Sequence, residues 1–80
     1  MRPEDIEKLI KTGLPEAEVR VTGDDGAHFE AVVIAAAFAG KTAVKQHQMV
    51  YATLGKAMES DIHALALQTY TPEAWAARAV

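Results

Sequence analysis

The sequence predicts an α+β fold in the order αββααβα: one three-stranded sheet with helices packed on one face. Three observations carry that expectation. Residues 18–22 alternate polar and apolar, and after a Gly/Asp turn the chain resumes as the β-branched run His28 to Ala35, which reads as a hairpin. From Ala43 onward apolar residues recur at three- and four-residue steps, the period of an amphipathic helix. Near the end, Leu65 and Leu67 alternate with Ala64 and Ala66 before Thr71-Pro72-Glu73, so a third strand runs into a last helix.

The elements follow in chain order. Pro3 suits the first turn of a helix, and Glu4 and Asp5 put negative charge at its positive end. Ile6, Leu9 and Ile10 form one apolar stripe, and Gly13 stops the helix near Thr12. Gly23-Asp24-Asp25-Gly26 supplies the residues a tight turn needs. Phe38-Ala39-Gly40-Lys41 reads as a connection, with Thr42 as N-cap of the long helix. On that helix Val44, His47, Val50, Tyr51, Leu54 and Met58 form the expected apolar stripe. Gly55 weakens its end, Lys56 to Asp61 add a short helical turn, and the third strand spans Ile62 to Tyr70. Thr71 caps the final helix, which carries Trp75.

Eighty residues fit one domain, 1–80, of modest stability. The absence of cysteine excludes a disulfide framework, a zinc ribbon and a thiol nucleophile, and suits a reducing compartment. With no signal-like segment and no run long enough to cross a bilayer, the expected setting is the cytoplasm, without a membrane partner. A net charge of −3 argues against gripping nucleic acid through bulk charge alone.

Chemistry-bearing groups are few. There is no nucleophile elbow. Gly40-Lys41-Thr42 echoes the end of a phosphate loop without its leading glycine, and Asp24-Asp25 lacks the further oxygen ligands of a calcium loop. The expectation is a binding protein, not an enzyme. Three histidines remain: His28, His47 and His63. His28 opens the second strand and His63 stands near the start of the third, on the side of Leu65 and Leu67. If those strands are neighbours, both imidazoles lie near one edge of the sheet, as half of a metal site that another molecule completes. The competing reading is two ordinary edge histidines. His47, on the helical stripe, reads as a buried histidine bonded to a backbone carbonyl. Lys41 and Lys45, at the start of the long helix, are either a phosphate-docking end or a solvated face.

Four fragments in order resemble the BolA family over nearly the whole chain. Ile62-His63-Ala64-Leu65-Ala66-Leu67-Gln68-Thr69-Tyr70-Thr71-Pro72-Glu73-Ala74-Trp75 is similar to its C-terminal signature. Phe38-Ala39-Gly40-Lys41 resembles its F-x-G turn, and Lys45-Gln46-His47-Gln48-Met49-Val50-Tyr51 its R-H-R-hydrophobic-hydrophobic-Tyr helix. The hairpin Val19 to Phe29 has the short turn of the smaller bacterial branch. The resemblance implies a type II KH-like fold and a protein that pairs with a monothiol glutaredoxin around a bridging 2Fe-2S cluster. Such a pair serves cluster trafficking or iron sensing. The partner would give a cysteine and a glutathione thiolate, and this chain the histidine at the signature position, His63. Alone, the chain would hold no cofactor and be a monomer or weak homodimer. A second ligand comes from the hairpin region: here His28, although relatives often carry it slightly earlier, where Asp24 and Asp25 stand. The same resemblance implies the alternative of a DNA-binding transcriptional regulator in the stress response, using Lys41, Lys45 and His47. Gln46 and Gln48 replace the two arginines of R-H-R, and the G-x-x-G loop with which KH domains clamp nucleotides is missing.

Overall fold

In the computed structural model, which describes residues 1–62 and 64–78, the chain forms eight elements. They are α1 (Pro3–Gly13), β1 (Glu18–Thr22), β2 (His28–Ile34), a 3-10 turn (Ala36–Phe38), α2 (Ala43–Leu54), α3 (Ala57–Ser60), β3 (Ala64–Tyr70) and α4 (Pro72–Arg78). The αββααβα order is the expected one, with the 3-10 turn added. His63 lies outside the described residues.

The sheet order is β1-β2-β3. β1 and β2 form an antiparallel hairpin in which Val19 faces Val33 and Val21 faces Ala31. β3 runs parallel to β2, with His28 opposite Ala64 and Ile34 opposite Tyr70. Parallel neighbours need a crossover, and the stretch holding α2 and α3 provides it.

Alternation along the strands sends Val19, Phe29 and Val33 to one face, where Ile6, Ile10, Val50, Leu54, Phe38 and Ile62 complete the core. α1 lies across β1 and α2, and α2 across β3. Gly13 permits a close approach of α1 and α2: a Cβ there would stand 2.5 Å from Thr53 Cγ2. The first helix is closed by the Arg2 N–H donating to Asp5 Oδ2 (3.0 Å). Thr42 caps α2 by accepting from the Lys45 N–H (3.2 Å), and Thr71 accepts from the Ala74 N–H at the start of α4 (3.1 Å).

The inner face of α2 is rotated from the expected stripe. Val50 and Leu54 are buried as anticipated, but Val44 is 68% exposed, Tyr51 is exposed and His47 only half-buried. Gln46 takes an inward place. Its amide donates to the Phe38 and Lys41 carbonyls (3.2 and 3.0 Å) and its Oε1 accepts from the Thr69 hydroxyl (2.7 Å). One polar side chain thus ties the connection before α2 to β3, and hydrophobic spacing alone could not register it.

Helices α1 and α2 occupy the core face as expected, and α4 gives the second face a small cover. Trp75 meets Tyr70 edge-on at 5.2 Å, Arg20 lies 5.2 Å from its ring centroid, and Arg78 lies 3.7 Å from it. The alanines Ala31, Ala35, Ala64 and Ala66 do not form one surface. The first two are buried, whereas Ala64 and Ala66 are exposed on the other side of the sheet.

Candidate functional site

The open end of the hairpin holds the candidate site. Gly23 lets the turn fold back on β2, since a Cβ there would stand 2.8 Å from the His28 carbonyl oxygen and 2.7 Å from the Phe29 ring. Asp25 then organises the return. Its Oδ1 accepts from the N–H groups of Ala27 (2.9 Å) and His28 (2.8 Å), and its Oδ2 lies 2.7 Å from His28 Nδ1. These contacts explain why Asp24-Asp25 builds a turn instead of a cation loop.

The two backbone N–H bonds, that of His28 first, and then the His28 ring hold the Asp25 carboxyl far below its ordinary value of 3.8. An ionised carboxylate only accepts, so the neutral imidazole places its proton on Nδ1, and Nε2 is the lone-pair nitrogen. A histidine oriented by a carboxylate in this way is the arrangement that metal-binding imidazoles commonly use, because it fixes ring and tautomer together.

His28 is exposed at the start of β2, beside a shallow depression of about 440 Å³ shared by Thr22, Asp24, Glu30, Ala64 and Ala66. The two expected neighbours, β2 and β3, are hydrogen-bonded, and the register sets His28 opposite Ala64. Ala64 directly follows His63 in the sequence. Among the described residues no group of three or more His, Cys, Asp or Glu is placed to hold a metal ion. At this end His28 offers an imidazole nitrogen backed by Asp25, and the chain has no cysteine to offer a thiolate.

Lys41, Lys45 and His47 belong to a different region, the beginning of α2. Both lysines are exposed. His47 is half-buried and makes no hydrogen bond among the described residues, which corrects the expectation of a carbonyl-bonded core histidine. Its position on the rim of α2 follows from Gln46 taking the inward place. The sequence reading passed over the Asp25–His28 pairing, for which the three-residue spacing across a Gly/Asp turn was the available signal. It also passed over the cluster of Arg20, Trp75 and Arg78, which joins β1 to α4.

Known proteins resemble this chain in sequence and in fold. A family profile described as BolA-like protein matches residues 11–74. Acid stress protein IbaG of Escherichia coli K12 is 35% identical over 77 residues, covering 95% of this chain and 90% of the relative. The same organism's DNA-binding transcriptional regulator BolA is 40% identical over 48 residues, covering 60% of this chain and 46% of its own length. The structure of a bolA protein homologue from Coxiella burnetii superposes with a TM-score of 0.86 at 49% identity, covering 95% of this chain and 97% of that one.

Proposed function

The chain belongs to the BolA-like family, and on that premise we propose that it is a non-catalytic adaptor that binds a monothiol glutaredoxin and co-ligates a bridging 2Fe-2S cluster through His63 and His28. The observation that carries this reading is the parallel pairing of β2 and β3, which brings the start of β3 beside His28. The Asp25 contact to His28 Nδ1 supports it further by orienting the ring for ligation through Nε2. The cluster would be cargo shared with the partner's cysteine and glutathione, with imidazole replacing thiolate as in Rieske-type centres. Because metal binding needs neutral imidazole, the complex weakens as the pH falls. A reducing cytoplasm is the compartment that fits a cysteine-free cluster adaptor. Among the described residues no helix is long and apolar enough to cross a membrane.

The test mixes this protein with a monothiol glutaredoxin carrying glutathione and its 2Fe-2S cluster, followed by visible absorption and circular dichroism. A saturating change near equal stoichiometry is expected. His63→Ala should abolish it, and His28→Ala or Asp25→Asn should weaken it. Spectra unaltered by His63→Ala would end the ligand assignment. One observation favours a second reading as a DNA-binding regulator: Lys41 and Lys45 stand exposed around the Thr42 cap at the start of α2. That reading requires DNA binding that strengthens steeply as salt is lowered and falls with Lys41→Ala and Lys45→Ala.

A further inference from the structure

The outer face of the sheet, away from the core, is ordered in cross-strand rows. Arg20, Val32 and Gln68 form one row, and Thr22, Glu30 and Ala66 the next. Rows on one face stand about 7 Å apart, two residues of strand. The two rows line an open depression of about 390 Å³, which Trp75 and Arg78 of α4 also border.

Hydrogen-bond donors gather at the α4 end of this depression. Two of the chain's three arginines are here, with Arg20 5.2 Å and Arg78 3.7 Å from the Trp75 ring centroid. The indole thus holds two like charges near each other. Arg78 also lies 5.7 Å from the Tyr70 ring, and it makes no ion pair among the described residues. Arg20 pairs only with Glu18, at 3.4 Å and with both side chains 57% exposed, a contact that solvent leaves weak. Gln68 accepts from the Tyr70 hydroxyl through Oε1 (3.2 Å), so its NH2 group is the part left to offer. Glu30 is the one acid of the lining. It stands in the next row, and Arg20 turns to Glu18 on the other side instead of to it.

We propose that this depression is a docking site for an acidic peptide segment of a partner protein, whose carboxylates are received by Arg20, Arg78 and the Gln68 amide beside Trp75. Charge complementarity selects the occupant. In a chain of net charge −3, two guanidiniums without a buried partner form a local positive spot, and their planar forks match carboxylates in bidentate fashion. The shape selects a peptide over a small molecule. Small-molecule sites enclose most of their ligand, whereas Arg20, Glu30, Gln68 and Arg78 are all exposed around a shallow floor. The floor also continues, since the depression beside His28 shares Thr22, Glu30 and Ala66, and an extended segment has room to run on. Glu30 sets the polarity: acids lie at the α4 end and uncharged residues beyond. Neither His28 nor His63 contributes to the carboxylate contacts, so this site and its test are independent of the cluster reading.

Trp75 is the chain's single tryptophan, so its fluorescence reports on the site. The metal-free protein is titrated with acetyl-Glu-Glu-Ala-Ala-Ala-amide and with the same peptide carrying glutamine for both glutamates. A saturable change is expected with the acidic peptide, weakening as salt rises, with roughly threefold poorer binding of the glutamine form. Arg20→Gln and Arg78→Gln should each weaken the acidic peptide roughly threefold, and Glu30→Gln should strengthen it roughly twofold. Lys8→Gln removes an exposed charge from α1 and should leave binding unchanged. All four positions are exposed, and circular dichroism confirms that each variant is folded. No saturable change, equal binding of the two peptides, or undiminished binding by folded Arg78→Gln would overturn the proposal. Free glutamate binding as tightly as the peptide would overturn the peptide as occupant.

Discussion

The Asp25 carboxylate accepts from two backbone N–H groups and holds the His28 ring, all within four residues of chain. Its folded pKa lies below its unfolded value, so its contribution to stability is present above the ordinary 3.8 and is lost as the pH falls toward the folded value. Asparagine in its place keeps an accepting oxygen for the backbone but loses the charge. The stability difference between the parent and Asp25→Asn, measured by urea unfolding, should therefore shrink as the pH falls below about 4. A difference that persists undiminished in strong acid would contradict this account of the turn. The composition of residues 23–26 made the turn legible in the sequence. Which of two adjacent aspartates closes it depends on backbone direction, and that emerges only once β1 and β2 are paired.

Helix α2 shows where reading by periodicity reaches its end. The spacing located its length, its Thr42 cap and two of its buried residues, Val50 and Leu54. It misplaced the remaining inward positions because Gln46 and Thr53, both polar, face the interior for reasons that lie in other elements. Gln46 serves the carbonyls before α2 and the hydroxyl of β3, and Thr53 meets Gly13 of α1 while donating to the Val50 carbonyl (2.6 Å). Gly13 looks in sequence like a helix stop, yet its lack of a side chain also sets the distance between the two helices. Gly13→Ala should cost about 1–3 kcal/mol through overpacking, and adding Thr53→Ser, which removes the facing methyl, should recover part of it. Thermal unfolding of the single and double variants measures both terms. Equal losses in the two would show that the contact with Thr53 is not the cause.

At the scale of the whole molecule, one face of the sheet carries the core and the other carries an anchor. Phe38 is 0% exposed at the centre of the core, whereas Trp75 lies half-buried outside the second face between two arginines. Phe38→Ala should therefore lose about 3–5 kcal/mol, a large share of a small domain's stability. Trp75→Ala should lose roughly 1 kcal/mol, in line with an exposed cation–π contact. Guanidinium unfolding of both variants tests the ranking, and comparable losses would refute it. The fold class and the order of elements along the chain were readable because the α and β periods are clean. The parallel sense of β3 came from topology, since the crossover could have returned on either side of the hairpin. That crossover also orders events in time. The β1–β2 hairpin closes over a turn of a few residues, while β2 cannot meet β3 until the whole α2–α3 connection has been made. Contacts so distant in sequence form late. During synthesis the hairpin's core face therefore waits, with Phe29 and Val33 lacking the cover of Leu65 and Thr69, until the last quarter of the chain has left the ribosome.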